Sequence, residues 1–86
     1  MFDLIIKILD KSKELGVDLH EARDRVIAEE NLPYEDMKSA CLFIGRNYDV
    51  ITKCRRMGDN ETIKAFVEAD EKTRKEIAKE VEERVE

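Results

Sequence analysis

Apolar residues recur at helical spacing from one end of the chain to the other. At ~100° per residue, Phe2, Ile5, Ile6 and Leu9 form one stripe, and Leu4, Ile8 and Leu15 form a second beside it. Asp3, Lys7, Asp10 and Glu14 are confined to the remaining side. The pattern predicts a helix over 3–15, closed by Gly16 as a left-handed cap. A surface helix needs an apolar arc of only a little over ~100°, and this one is wider. It therefore either packs on two sides within the domain or is partly covered by another chain. A second helix over 19–31 is announced by Asp18, with Glu21 placed to complete a capping box and Val17 to staple onto Ala22. Its inward positions are Leu19, Ala22, Val26 and Ile27, and His20 falls on the exposed side of the first turn.

Leu32 and Pro33 punctuate the chain, and a proline at the first helical position starts a helix without losing a hydrogen bond. The helical period then runs unbroken over 34–57, up to Gly58. Tyr34, Met37, Cys41, Ile44, Tyr48 and Ile51 make its main stripe; Phe43, Val50, Cys54 and Met57 make a second. This is the most apolar part of the chain and the expected central helix. Gly45 costs about 1 kcal/mol there relative to alanine, so a break at 45 is the alternative to one continuous helix, and the persistent stripes favour continuity.

Asp59 or Asn60 caps a helix over 60–69 with Ile63, Phe66 and Val67 inward, and Asp70 caps a last helix over 71–85. The last helix has only a narrow stripe, Ile77, Ala78, Val81 and Val85. Glu82, Glu83 and Glu86 crowd the negative end of its dipole, so its final turn is expected to fray. Deleting residues 80–86 is accordingly expected to lower the melting temperature only modestly. No internal repeat is read along the chain. The expected fold is all-α, a small single-domain bundle of four to five helices over residues 1–86.

Composition narrows the function. Of 86 residues, 43% are charged and 42% hydrophobic, with one Pro, three Gly, two Cys and one His. The length allows one small domain with much of its surface wet, which makes a homodimer an expectation. No apolar run approaches the ~18 residues of a membrane span and no signal peptide is read, so no membrane partner and a cytoplasmic setting are expected. The net charge of −5 is uneven: residues 1–31 carry −3, residues 32–58 carry +2 and residues 59–86 carry −4. The middle third thus offers a local basic face on a chain that as a whole repels phosphates.

One stretch resembles a helix-turn-helix, on the spacing of Cys41, Gly45, Ile51 and Cys54 with Ala40 and Ile44 in support. The resemblance implies a second helix starting near Asn47 that exposes Asn47, Asp49, Thr52, Lys53 and Arg56, with Asn, Lys and Arg reading base edges and Arg55 on phosphate. Arg46 stands where the motif usually has an apolar residue, and Asp49 would point a negative charge at DNA.

Catalytic chemistry is hard to assemble. The three glycines are scattered, so no phosphate-cradling loop is formed. Ser12 and Ser39 lie within helices, Cys41 and Cys54 read as core thiols, and one His with two Cys makes no zinc set. No catalytic residue, cofactor or metal is therefore expected. The reading that follows is a non-catalytic, acidic, helical binding protein that docks onto a larger protein as a regulator, adaptor or inhibitor. By class alone it is analogous to phage and mobile-element accessory proteins. Phe2, Ile5, Ile6, Leu9 and Phe43 are the expected partner or dimer interface, and the alternative is a DNA-binding transcription regulator using residues 37–57.

Overall fold

The computed structural model describes residues 1–84 and is all-helical, with no strand among them. Six helices follow one another, where the sequence pattern predicts four to five: α1 (Phe2–Leu15), α2 (Leu19–Glu30), α3 (Tyr34–Arg46), α4 (Tyr48–Arg56), α5 (Asn60–Glu68) and α6 (Glu71–Glu83). The expected end of the last helix at 85, and the place of Val85 in its stripe, lie outside the described residues. No helix is long and apolar enough to cross a membrane among the described residues. The chain divides into two compact units, Met1–Arg46 and Asn47–Glu86.

In the first unit α1, α2 and α3 pack on one another in all three pairings. Ile5, Ile8 and Leu9 of α1 meet Ala22 and Val26 of α2 and Met37, Ala40, Cys41 and Ile44 of α3 in its buried core. The broad apolar arc of α1 is thus used on two sides inside the unit. Helix ends are closed locally. Gly16 adopts φ 66°, which the absence of a Cβ allows, and its N–H donates to the Ser12 carbonyl at 2.9 Å. Asp18 accepts from the Glu21 N–H at 2.9 Å. The Glu21 carboxylate points instead to Arg25 at 3.6 Å, so the cap is one-sided and the expected capping box is not completed. Ion pairs from Lys7 to Glu30 and from Lys11 to Glu29 fasten α1 to the C-terminal end of α2. The Arg23 guanidinium lies over the Tyr34 ring, 5.4 Å from its centroid, and fastens α2 to the start of α3.

The expected continuous central helix over 34–57 is interrupted, and at Asn47 rather than at Gly45. Asn47 leaves the helical region with φ −124° and ψ 31°, and its carbonyl accepts the first bond of α4, from the Ile51 N–H at 3.0 Å. The physical reason is a change of partners. The stripe before the break is buried with α1 and α2, whereas Ile51 and Cys54 beyond it are buried in the unit of α4, α5 and α6. Tyr34 and Tyr48, read as main-stripe residues, are 50% and 52% exposed, because each begins a helix at the edge of its unit.

The second unit repeats the ground plan. Its first helix opens with Tyr48, Asp49, Val50 and Ile51 as α1 opens with Phe2, Asp3, Leu4 and Ile5, and Ile5 and Ile51 are both fully buried. The third helices, α3 and α6, are both 13 residues long. Their fourth, seventh, eighth and eleventh positions are the less exposed ones: Met37, Ala40, Cys41 and Ile44 are buried in one, and in the other Arg74, Ile77 and Ala78 are half-buried and Val81 is buried. Among the four aligned opening positions only Asp3/Asp49 and Ile5/Ile51 are identical, and the inward positions of the third helices share no residue, since a similar register of burial does not require shared residues.

With fewer apolar side chains, the second unit is tied by charge at its helix ends. Asp59 caps α5 by accepting from the Thr62 N–H at 3.1 Å, and Arg84 donates to the same carboxylate at 2.6 Å. Arg74 donates to the Phe66 and Val67 carbonyls at 3.0 and 2.7 Å, closing the C-terminal end of α5. Lys53 of α4 donates to the Glu82 and Arg84 carbonyls at 3.3 and 2.8 Å, closing the end of α6. The described end of α6 is therefore held from two sides, and Val81 inside it is fully buried, while the expected fraying of the final turn falls partly on residues 85–86, outside the described residues. Deletion of residues 80–86 removes Val81 and the Arg84 contacts together, and is expected to abolish folding of α4–α6 rather than lower the melting temperature modestly. Val81→Ala alone should cost about 2 kcal/mol and Arg84→Ala about 1 kcal/mol. Urea melts followed by circular dichroism check all three, and a truncated chain with its remaining helical signal intact would contradict the assignment.

Hydrogen bonds from Thr62, and next from Arg84, hold the Asp59 carboxyl below the usual carboxylate range. The Thr73 hydrogen bonds do the same for Asp70 at the head of α6. A lowered native pKa means stability that is present above the ordinary carboxylate value and lost as the pH falls through the native one. The urea midpoint should consequently decline as the pH drops below about 4. Asp59→Asn, which keeps an acceptor but no charge, should flatten that decline.

Candidate binding surfaces

The structure sorts the residues expected to meet a partner. Ile5 and Leu9 are inside the first unit, 0% and 9% exposed, and are not available to another chain while the unit stays folded. Phe2 and Ile6 of α1 and Phe43 of α3 are half-buried and keep part of their apolar surface in solvent. On the helical wheel, Phe2 and Ile6 share the flank of α1 opposite the one that bears Lys7 and Lys11, hence away from the ion pairs with α2.

The residues expected to read DNA are engaged within the second unit. Thr52 donates its hydroxyl to the Tyr48 carbonyl at 2.7 Å, a back-bond within α4. Lys53 closes α6, as described above, and Arg55 donates to the Asn60 side chain at 3.4 Å. Asn47 forms the break and Arg56 is exposed. A single residue separates α3 from α4, against the three to four residues of a helix-turn-helix turn. Within their units, α3 packs on α1 and α2, and α4 packs on α5 and α6. A shallow groove of about 250 Å³ runs beside α4, with Val50 and Val81 as its apolar walls and Asp49, Glu82, Lys53 and Arg56 around them. Its two carboxylates offset its two cations, and one of those cations is already bound to backbone carbonyls. The groove therefore offers no net positive field to a phosphate.

Both cysteines are free and enclosed, Cys41 5% exposed in the first unit and Cys54 0% in the second. Burial pushes both thiols up, at Cys41 against the opposing pull of Arg23. Each is a poor nucleophile in the folded state. Among the described residues no cluster of three or more His, Cys, Asp or Glu side chains could hold a metal ion.

The surface that the apolar pattern does not reveal is the outer side of α3. Tyr34, Lys38, Leu42 and Arg46, spaced four apart, are all exposed, with Leu42 at 48%. Leu42 belongs to neither stripe of its segment, and an apolar residue lying off the apolar arc is the signal that could have found it. Comparison with models of protein families, with curated protein sequences and with solved structures finds no match. The thiol environment yields a direct check. Native protein should react with a thiol reagent at least about tenfold more slowly than urea-unfolded protein, at both cysteines. Rapid labelling of either one under native conditions would show that its unit opens.

Proposed function

We propose that the protein is a non-catalytic helical binding protein that docks onto a larger protein and so acts as a regulator, adaptor or inhibitor. The observation that carries this reading is the exposure of large apolar side chains on helices whose cores are already filled. Helix α3 buries Met37, Ala40, Cys41 and Ile44 and still leaves half of Tyr34 and of Leu42 in water. Tyr34 serves the isolated chain by holding Arg23, but the exposure of Leu42 brings it nothing, and apolar side chains gain when a partner removes them from water. The half-buried Phe2, Ile6 and Phe43 add apolar surface in the same unit. Charge supports a protein partner over a nucleic acid, since the whole chain carries −5 and Lys53 serves a helix end.

The test is affinity capture from the source cell with the intact protein, followed by reconstitution from purified components. A partner that co-purifies at ~0.15 M salt and re-forms a complex of fixed stoichiometry in solution is the expected result. Binding to duplex DNA, measured at low and moderate salt, is expected to be absent. Tight DNA binding that falls steeply with salt and is lost on joint replacement of Arg55 and Arg56 would establish the alternative regulator.

A further inference from the structure

Two of the three glycines have a conformational reason to be glycine. Gly16 (φ 66°) and Gly58 (φ 70°) end α1 and α4 in the left-handed region, where an L side chain is strained. Gly45 has no such reason. It lies within α3 without a positive φ, and a Cβ built there would meet nothing within 4 Å. Glycine in a helix is unfavourable relative to alanine, so nothing inside the fold accounts for it. Its surroundings do. On the helical wheel Gly45 falls within about 60° of Tyr34, Lys38 and Leu42, on the solvent side of α3. That side carries the exposed ridge of Tyr34, Lys38, Leu42 and Arg46. Residues 37–46 contain two cations and no carboxylate, in a chain with a net charge of −5. Among the described residues neither Lys38 nor Arg46 makes an ion pair, whereas Lys7, Lys11 and Arg25 of the same unit all do. Glu35 and Asp36, in the first turn, mark the N-terminal limit of the face.

We infer that this ridge is the docking surface for an acidic amphipathic helix of a protein partner, which crosses α3 closely at Gly45 and packs its apolar side on Leu42. The inference rests on the docking reading above and specifies its surface and chemistry. A glycine lets the axis of a second helix approach more closely than any side chain would, because interaxial distance follows the side chains at the crossing. Lys38 and Arg46 are eight residues apart, about 12 Å along the helix. The partner helix therefore presents carboxylates about two turns apart on either side of an apolar patch. A second copy of this chain does not fit the face. Antiparallel pairing about Leu42 sets Lys38 of one copy opposite Arg46 of the other, and parallel pairing sets each cation against itself. A phosphate backbone would meet the two cations but leave Leu42 between them without an apolar partner.

The probe is a synthetic amphipathic helical peptide with Leu and Ala on one face and two Glu seven residues apart beside it, compared with the same peptide carrying Lys at those positions. Titration into the full-length protein is expected to show binding of the acidic peptide, weakened by salt, and none of the lysine peptide. Leu42→Glu should weaken binding by about tenfold or more, and joint Lys38→Glu and Arg46→Glu replacement should reverse the preference between peptides. Gly45→Ala is the decisive variant. It should raise Tm by a few degrees, about as expected for a better helix former, and still weaken the acidic peptide about tenfold. No detectable binding of the acidic peptide at about 1 mM, or unchanged affinity in both Gly45→Ala and Leu42→Glu, overturns the inference. So does binding of duplex DNA that depends on Lys38 and Arg46 and ignores Leu42. The captured partner separates the two levels of the argument. If it binds wild type and Leu42→Glu equally, this surface is wrong and the docking reading stands; if wild type reconstitutes no complex, both fail.

Discussion

Among the described residues six short helices form two small cores, and each core sits near the ~40-residue limit below which a chain usually needs disulfides, metals or association to fold. Apolar burial alone is thin there, above all in the second unit, where α6 contributes Val81 as its one fully enclosed side chain among the described residues. The ends of the helices must then be satisfied by side chains, because each short helix leaves as many unpaired backbone groups as a long one. Asp18, Asp59 and Asp70 accept from the first turns of α2, α5 and α6. Gly16 and Asn31 turn left-handed after α1 and α2, and Gly58 does so beyond α4. Arg74 and Lys53 donate to the last carbonyls of α5 and α6.

This use of cations shapes what the molecule offers to others. A basic middle third looks, as a string, like a nucleic-acid face. In the folded chain Lys53 is an internal clamp, Arg55 reaches Asn60, and Thr52 bonds its own helix. Lys38 and Arg46 are left on the outside of α3, with Leu42 between them and Gly45 alongside. On α3 the positive charge thus accompanies apolar area and a close-approach residue, a combination suited to a helix of opposite charge.

The sequence by itself determined much of the local structure. Helix starts at Asp18 and Asp70, one at Asp59 or Asn60 that the structure places at Asp59, and the left-handed end at Gly16 followed from the short-range chemistry of capping, which needs no knowledge of the rest of the chain. The inward faces of α2 and α5 largely followed from spacing: Ala22, Val26, Ile63, Phe66 and Val67 are all buried, whereas Leu19 and Ile27 are half-buried. Of the expected interface, Phe2, Ile6 and Phe43 keep exposed surface, whereas Ile5 and Leu9 do not, because periodicity shows that an arc is apolar without showing what covers it. Only the tertiary structure decided that the segment over 34–57 is two helices serving two cores. The apolar period continues through Asn47 because each half is amphipathic, and a wheel drawn on the string has no means of registering that the partners change. The same limit hid the roles of Lys53, Arg74 and Arg84, whose acceptors lie up to 31 residues away in sequence. Leu42 was legible as an apolar residue off both stripes, but its exposure matters only once the opposite face of α3 is known to be full.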